Sequence, residues 1–355
     1  MGDSATGARR PWLWPLVPIY WAVTGLRRWL AGWGLVKRRW LESPVISVGS
    51  CSAGGAGKTP MVLLLTRLLI KRGYAVRILS RGYGRLSEGV ERVDPEGEAT
   101  WFGDEPMLLA QRTGAPVFVG ADRYEAGMLA AKEIPGDKMA VYVLDDGFQH
   151  WRLGRDVDMA LLTAADMKDV LLPAGNLRES LAALKDADVI VLREEELGAT
   201  KGMVARLKKG ARAPLVWVIR RRLSFVFRED GRASDLPLRP VVFCGVARPE
   251  GFLAMLRAKE VEAVETVLFE DHHVYDDGDV ERLIAAARLS GADGFVTTEK
   301  DTVKLTAVMR VRLETVGPVV VARLELELVD EKAAMDRMIG RVRMMDRRRR
   351  KKVWR

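Results

Sequence analysis

Short apolar runs recur along the chain between polar residues and glycines: Val45-Ile46-Ser47-Val48, Ala75 to Leu79, Pro116 to Val119, Met139 to Leu144, Val157 to Leu162 and Val189 to Leu192. They are too short for buried helices and mostly rich in β-branched residues, so they read as strands buried on both faces. Between them lie helical stretches, Met61 to Ile70, Pro106 to Arg112 and Asp122 to Glu133. This alternation predicts an α/β fold, a mostly parallel sheet with helices on both faces. Two later β-rich stretches, Val216 to Phe227 and Pro318 to Leu328, flank a block in which Val241 to Val246 opens a fresh α/β series. The pattern predicts a core domain over 41–222 and a smaller α/β domain over 238–316. Two β segments, 223–237 and 317–328, form the expected hinge. A C-terminal helix over 329–345 and a basic tail over 346–355 complete the division, and the inter-domain cleft is a natural ligand site.

Residues 1–40 follow another pattern. Six of the ten tryptophans lie there: Trp12, Trp14, Trp21, Trp29, Trp33 and Trp40. On a continuous helix, all but Trp12 would fall within an arc of about 120°, although Gly32 and Gly34 are placed to break that helix before Trp40. Indole rings favour the membrane–water interface, and Arg27, Arg28, Lys37, Arg38 and Arg39 can reach anionic head groups. The segment therefore predicts an amphipathic helix lying on an anionic membrane surface. No run reaches the roughly 20 apolar residues of a spanning helix.

Charge sharpens this division. The net charge is +9, but residues 1–40 carry +6 and residues 346–355 another +6, leaving −3 for the body. A nucleic-acid enzyme usually spreads basic charge over its working face, so no nucleic-acid partner is expected. Cys51 and Cys244 lie far apart and have no metal-ligand spacing, which fits a reducing compartment. No oligomeric state is legible, and a monomer is the expectation.

The strongest chemical signal follows the first strand. Ser52-Ala53-Gly54-Gly55-Ala56-Gly57-Lys58-Thr59 is a glycine-rich loop between a strand and a helix, the order of a phosphate-binding P-loop. Its amides and the helix N-terminus suit phosphate oxygens. Lys58 would reach the β- and γ-phosphates and the Thr59 hydroxyl would hold Mg²⁺. Ser52 stands where the strict pattern has glycine. Asp145 and Asp146 end a later apolar strand, a Walker-B arrangement for Mg²⁺. His150 lies close behind. Asp271-His272-His273 lacks the further ligands of a metal site, so one of these histidines is expected to act in catalysis or on substrate. Val296-Thr297-Thr298-Glu299-Lys300-Asp301 could close over a nucleotide base or simply begin a capped helix.

These stretches, with Ser80-Arg81-Gly82-Tyr83-Gly84-Arg85, Gly103-Asp104-Glu105-Pro106, Leu144-Asp145-Asp146-Gly147-Phe148-Gln149-His150, Leu172-Pro173-Ala174-Gly175, Leu177-Arg178-Glu179 and Phe269-Glu270-Asp271-His272-His273, resemble the tetraacyldisaccharide 4′-kinase family of lipid A biosynthesis. Phe148 stands where leucine is more usual in that family. The resemblance spans nearly the whole chain. It implies a two-domain P-loop kinase, peripheral at the cytoplasmic face of the bacterial inner membrane. The implied reaction transfers the ATP γ-phosphate to the 4′-hydroxyl of a tetraacylated disaccharide 1-phosphate lipid A precursor. It further implies that Asp104 takes the hydroxyl proton with His272 paired to it, and that Glu105 joins Asp145 or Asp146 near Mg²⁺. Arg81, Tyr83, Arg123, His150 and Arg178 are then candidates for the substrate or the transferring phosphoryl group. Two rival readings are a partition-type regulatory ATPase and a nucleic-acid NTPase. The first would carry a lysine where this chain has Ala53, and the acidic body opposes the second.

Overall fold

The computed structural model describes residues 10–134, 139–210, 213–227 and 236–353, with only the backbone described over 347–353. The chain enters through a 3₁₀ turn, Pro11–Leu16, and a helix α1, Val17–Gly32. Strand β1, Val45–Ser50, then leads through the glycine loop into α2, Lys58–Lys71. There follow β2, Ala75–Ser80, and β3, Glu91–Arg92, then α3, Ala99–Phe102, and α4, Asp104–Thr113. Next come β4, Val117–Val119, α5, Arg123–Ala131, β5, Ala140–Asp145, β6, Val157–Leu162, and β7, Val189–Arg193. Helix α6, Leu197–Lys208, precedes the long β8, Leu215–Val226. The later block holds β9, Pro240–Cys244, α7, Pro249–Arg257, β10, Glu265–Leu268, α8, Asp277–Ser290, β11, Gly294–Thr298, α9, Glu299–Thr302, and α10, Ala307–Leu313. Strand β12, Val319–Leu328, and helix α11, Glu331–Val353, complete the chain.

Among the described residues, twelve strands form one sheet in the order β10-β9-β11-β12-β8-β7-β6-β1-β5-β2-β4-β3. Pairing is parallel except at the β3–β4 edge and between β8 and β12. The expected hinge segments are thus central sheet members, registered from Val321 opposite Val226 to Leu328 opposite Ile219. The first begins at Leu215, not in the 223–237 stretch, and residues 228–235 lie outside the described region. Every residue of β1, β2 and β5 is buried, as unbroken apolar runs covered on both faces require.

Two end segments depart from expectation. The C-terminal helix does not stop near 345; α11 continues through Val353, so most of the basic stretch is helical. Met335, Met338 and Val342 anchor α11 in the main core. At the other end, the helix stops at Gly32, before Gly34 with φ +75°. Trp40 therefore leaves the expected tryptophan face and its ring packs where a Cβ on Gly154 would sit. Helix α1 keeps the expected outward face, with Ile19, Trp21, Val23, Leu26 and Trp29 exposed, while its covered stripe is mixed: Val17, Tyr20, Thr24 and Arg28 partly covered and Ala31 buried. No helix among the described residues is long and apolar enough to cross a membrane.

Candidate active site

Strand β1 delivers the chain into a loop that only glycine can follow. Gly54, Gly55 and Gly57 have φ of +65°, +66° and +92°, in the left-handed region. Gly57 caps α2 with no side-chain partner, so the first amides of that helix point into a cleft of about 970 Å³. Ala53 to Thr59 line this cleft, as do Arg81, Tyr83, Asp104, Glu105, Asp145, Asp146, Arg178 and His272. Buried Ser52 lies behind the loop, its carbonyl accepting from Arg178 at 3.2 Å. Arg123 and His150 are not part of the wall. Arg123 is buried and donates to the Ala121 carbonyl at 2.7 Å. His150 is held down to about pKa 4 by burial and by the charges of Arg123 and Arg155.

A short ionic chain links the loop to the end of β5. Lys58 Nζ lies 2.9 Å from Asp146 Oδ1. Arg178 grips the same carboxylate with both nitrogens, at 2.7 and 2.8 Å. Burial alone would push Asp146 upward, but these two cations hold it well below the carboxylate range. Asp145 behaves oppositely. Burial, then the charges of Glu105 and Asp146, raise it to about 7. Its Oδ2 accepts from Ser80 at 3.1 Å, while the buried Oδ1 has no protein partner. An orphaned, buried carboxylate oxygen beside a phosphate loop fits a divalent cation. Among the described residues no three acidic, histidine or cysteine side chains converge to cage a metal. That suits Mg²⁺, which takes one or two carboxylates and draws its other ligands from phosphate and water.

The opposite wall comes from elements far away in sequence. Asp104 opens α4 and is buried. His272 Nδ1 lies 3.0 and 3.1 Å from its two oxygens, across 168 residues of chain. Burial pushes Asp104 up, yet the His272 hydrogen bond and Lys300 leave it below its ordinary value. His272 is raised in turn by that hydrogen bond, against the effect of burial. Both Asp146 (φ +49°) and His272 (φ +64°) hold left-handed backbone, a strain of about 1–3 kcal/mol of the kind that gathers at working sites. The Tyr83 ring lies 5.3 Å from that of His272.

Residues 296–301, read from sequence as closing over a nucleotide base or as a capped helix start, do start a helix: the Thr298 side chain caps α9 by accepting from the Asp301 N–H, and Thr298, Glu299 and Lys300 line the cleft. Lys300 Nζ sits 2.9 Å from Asp271, 3.5 Å from Glu105 and 3.7 Å from Asp104. Glu299 pairs with Arg112 of α4 and, at 2.6 Å, with Arg323 of β12. Two cations were missed. Arg193, at the end of β7, donates to the carbonyls of Gly55 and Ala56 at 3.1 and 3.2 Å. Arg248 packs where a Cβ on Gly55 would lie. Strand-end logic could have found Arg193; no sequence signal marked Arg248.

A glycine loop aimed at phosphates and a paired carboxylate facing it across a cleft define a P-loop kinase. The chain belongs to the tetraacyldisaccharide-1-P 4′-kinase family, whose profile matches residues 9–343. It is 38% identical to the tetraacyldisaccharide 4′-kinase of Koribacter versatilis (strain Ellin345), covering 92% of this chain and 97% of that protein. It is 39% identical to the Geobacter metallireducens protein of the same name, covering 88% of this chain and 94% of that one. The fold matches the crystal structure of the "apo" form of LpxK from Aquifex aeolicus in complex with ATP. There the TM-score is 0.71 at 30% identity, over 94% of this chain and 99% of that one.

Proposed function

We propose that this chain transfers the γ-phosphoryl group of ATP to the 4′-hydroxyl of a tetraacylated glucosamine disaccharide 1-phosphate. The observation that carries this reading is the Asp104–His272 contact facing the glycine loop across one cleft. Lys58 and the loop amides neutralise phosphate charge, and positioning and charge neutralisation dominate phosphoryl transfer. Thr59, Asp145 or Asp146, and Glu105 are the groups that would hold Mg²⁺, which when bound supplies further neutralisation of phosphate charge. Asp104 is the base for the sugar hydroxyl. A carboxylate is a weak base toward an alcohol, so it accepts the proton as that proton becomes acidic in the transition state. His272 keeps Asp104 ionised and oriented. Arg81 and Tyr83 face acceptor or phosphoryl group, Arg178 lines the same cleft while neutralising Asp146, and Arg123 and His150 lie behind the wall.

The same proposal includes placement. The outward face of the N-terminal segment carries Trp12, Trp14, Trp21, Trp29 and Trp33, all exposed; of the cations expected to reach head groups, Arg28 and Arg39 are instead ion-paired to the protein, Arg28 to Glu179 and Asp186 and Arg39 to Asp122 and Glu125. The exposed tryptophans support a surface that lies on a membrane; the monomeric state and the cytoplasmic face of the inner membrane belong to the same proposal by family resemblance. The direct test is transfer of radiolabelled phosphate from ATP to the disaccharide lipid. Label appearing on the lipid only with the intact chain is the expected result; ATP hydrolysis that ignores the lipid would refute the assignment.

A further inference from the structure

The outer segment and the phosphate loop meet through one stretch, residues 174–186. Backbone joins it to the loop: Ala53 N–H donates to the Asn176 carbonyl at 2.8 Å, and Arg178 N–H donates to the Cys51 carbonyl at 2.7 Å. The N-terminal segment grips the same stretch from outside. Arg10 N–H donates to the Ala174 carbonyl at 2.9 Å, and the Tyr20 hydroxyl donates to the Arg178 carbonyl at 3.1 Å. Arg28 forms an ion pair with Glu179, sits 2.9 Å from Asp186 and donates to the Ala183 carbonyl at 3.1 Å. Its guanidinium also lies 5.8 Å from the Phe148 ring and 5.1 Å from the Trp151 ring, in the loop that follows Asp146.

A helix that served only as an anchor would turn its apolar face to the lipid and would need no specific polar contacts with the protein behind it. Helix α1 makes such contacts: it turns Tyr20 and Arg28 inward, Tyr20 onto the Arg178 carbonyl and Arg28 onto the adjoining Glu179. We propose that Arg28 is a positioning residue: by fixing Glu179 and the Asp146 loop, it holds Arg178 on Asp146 and so frees Lys58 for nucleotide. The reasoning is a charge balance, and it rests on the nucleotide role proposed above for Lys58. Asp146 is one carboxylate between two cations, with Arg178 bidentate and Lys58 at a single oxygen. Phosphate must draw Lys58 away. That exchange is easy while Arg178 keeps Asp146 neutralised. If Arg178 slackens, Asp146 holds Lys58 more tightly and the phosphates must compete with a carboxylate. The N-terminal helix thereby sets nucleotide affinity from a distance, without touching the nucleotide.

Calorimetric titration of the full chain in detergent with a non-hydrolysable ATP analogue and Mg²⁺ tests this. Charged hydrogen bonds of this kind correspond to about a tenfold change, so Arg28→Gln should raise the nucleotide Kd about tenfold. Its KM for the lipid acceptor and its retention on phosphatidylglycerol vesicles should stay at wild-type values. Tyr20→Phe, which removes one hydrogen bond and preserves packing, should raise Kd about two- to threefold. In an Arg178→Gln background the Arg28→Gln effect should vanish, because the two act as one unit. An unchanged Kd in both Arg28→Gln and Tyr20→Phe would overturn the inference. So would a tenfold loss that persists without Arg178. Lys58→Ala separates the two levels: if it binds nucleotide normally, the cradle reading itself fails, and if it does not, the Arg28 result stands on its own.

Discussion

The two walls of the cleft are built in different ways. The phosphate wall is one contiguous loop plus the end of β5, and its working groups are mostly backbone amides released by glycine geometry. The facing wall is a collection of single side chains: Asp104 from α4, His272 after β10, Lys300 from α9 and Arg248 before α7. Gripping a polyphosphate takes many weak, similar donors at fixed spacing, which a single loop can supply. Deprotonating an alcohol takes one carboxylate held ionised in a desolvated place, and only partners brought from elsewhere in the chain can do that. The first wall is therefore a motif and the second an assembly.

The largest expected effects separate these tasks. Lys58→Ala should lower turnover by about 10³-fold or more and remove nucleotide binding, since it takes away the main cation on the phosphates. Filter binding of labelled ATP, beside circular dichroism to confirm the fold, checks this. Asp104→Asn should lower kcat by about 10²–10⁴-fold while nucleotide Kd stays within about threefold. If Asp104→Asn instead weakened nucleotide and spared kcat, the division of labour between the walls would be wrong.

The same division explains what could be read from sequence. Lys58, Thr59, Asp145 and Asp146 stand at strand ends or in a loop with obligatory spacing, so local pattern was enough. The strands of the sheet were legible for the same reason, because apolar runs buried on both faces leave little ambiguity. The partnership of His272 with Asp104 entered only through family resemblance; nothing local in Asp271-His272-His273 says which partner it meets. Lys300 was noticed without its partners, since a charge after a strand does not reveal that it will meet Asp271, Glu105 and Asp104. The end of α1 was signalled by Gly32 and Gly34, yet the tryptophan arc extended to Trp40, which instead covers Gly154. The helical course of residues 346–353 was missed because a run of like charges usually repels itself into coil, whereas here the Met335, Met338 and Val342 anchor precedes it.

A smaller effect tests the strain stored on the phosphate wall. Asp145 is buried, accepts one hydrogen bond and is raised to about 7 by burial and its acidic neighbours. A raised carboxyl contributes stability that is present below its unfolded value and lost as pH rises through the folded one. Asp145→Asn should therefore raise the stability of the nucleotide-free chain above neutral pH by on the order of 2 kcal/mol, while abolishing turnover. Denaturant melts at about pH 8 check the sign, and the gain should shrink when Mg²⁺ and nucleotide are added.

The facing wall predicts the smallest effect, with the opposite pH sense. Asp104 is depressed and His272 is raised, each through the other. The His272 contribution is fully present below the ordinary imidazole value and disappears as pH rises through the raised one. The Asp104 contribution is present above the ordinary carboxylate value and disappears as pH falls through the depressed one. Their pairing thus stabilises the chain most between those limits, in mildly acid solution. His272→Gln should cost on the order of 1 kcal/mol near pH 6 and little near pH 9. Thermal melts of wild type and variant at both values give the two differences. A gap that widened toward alkaline pH would mean that a neutral imidazole, not a charged one, supports Asp104. The base would then be kept ionised by Lys300 and Lys304, and the second lobe would contribute lysines where the geometry now gives it a histidine.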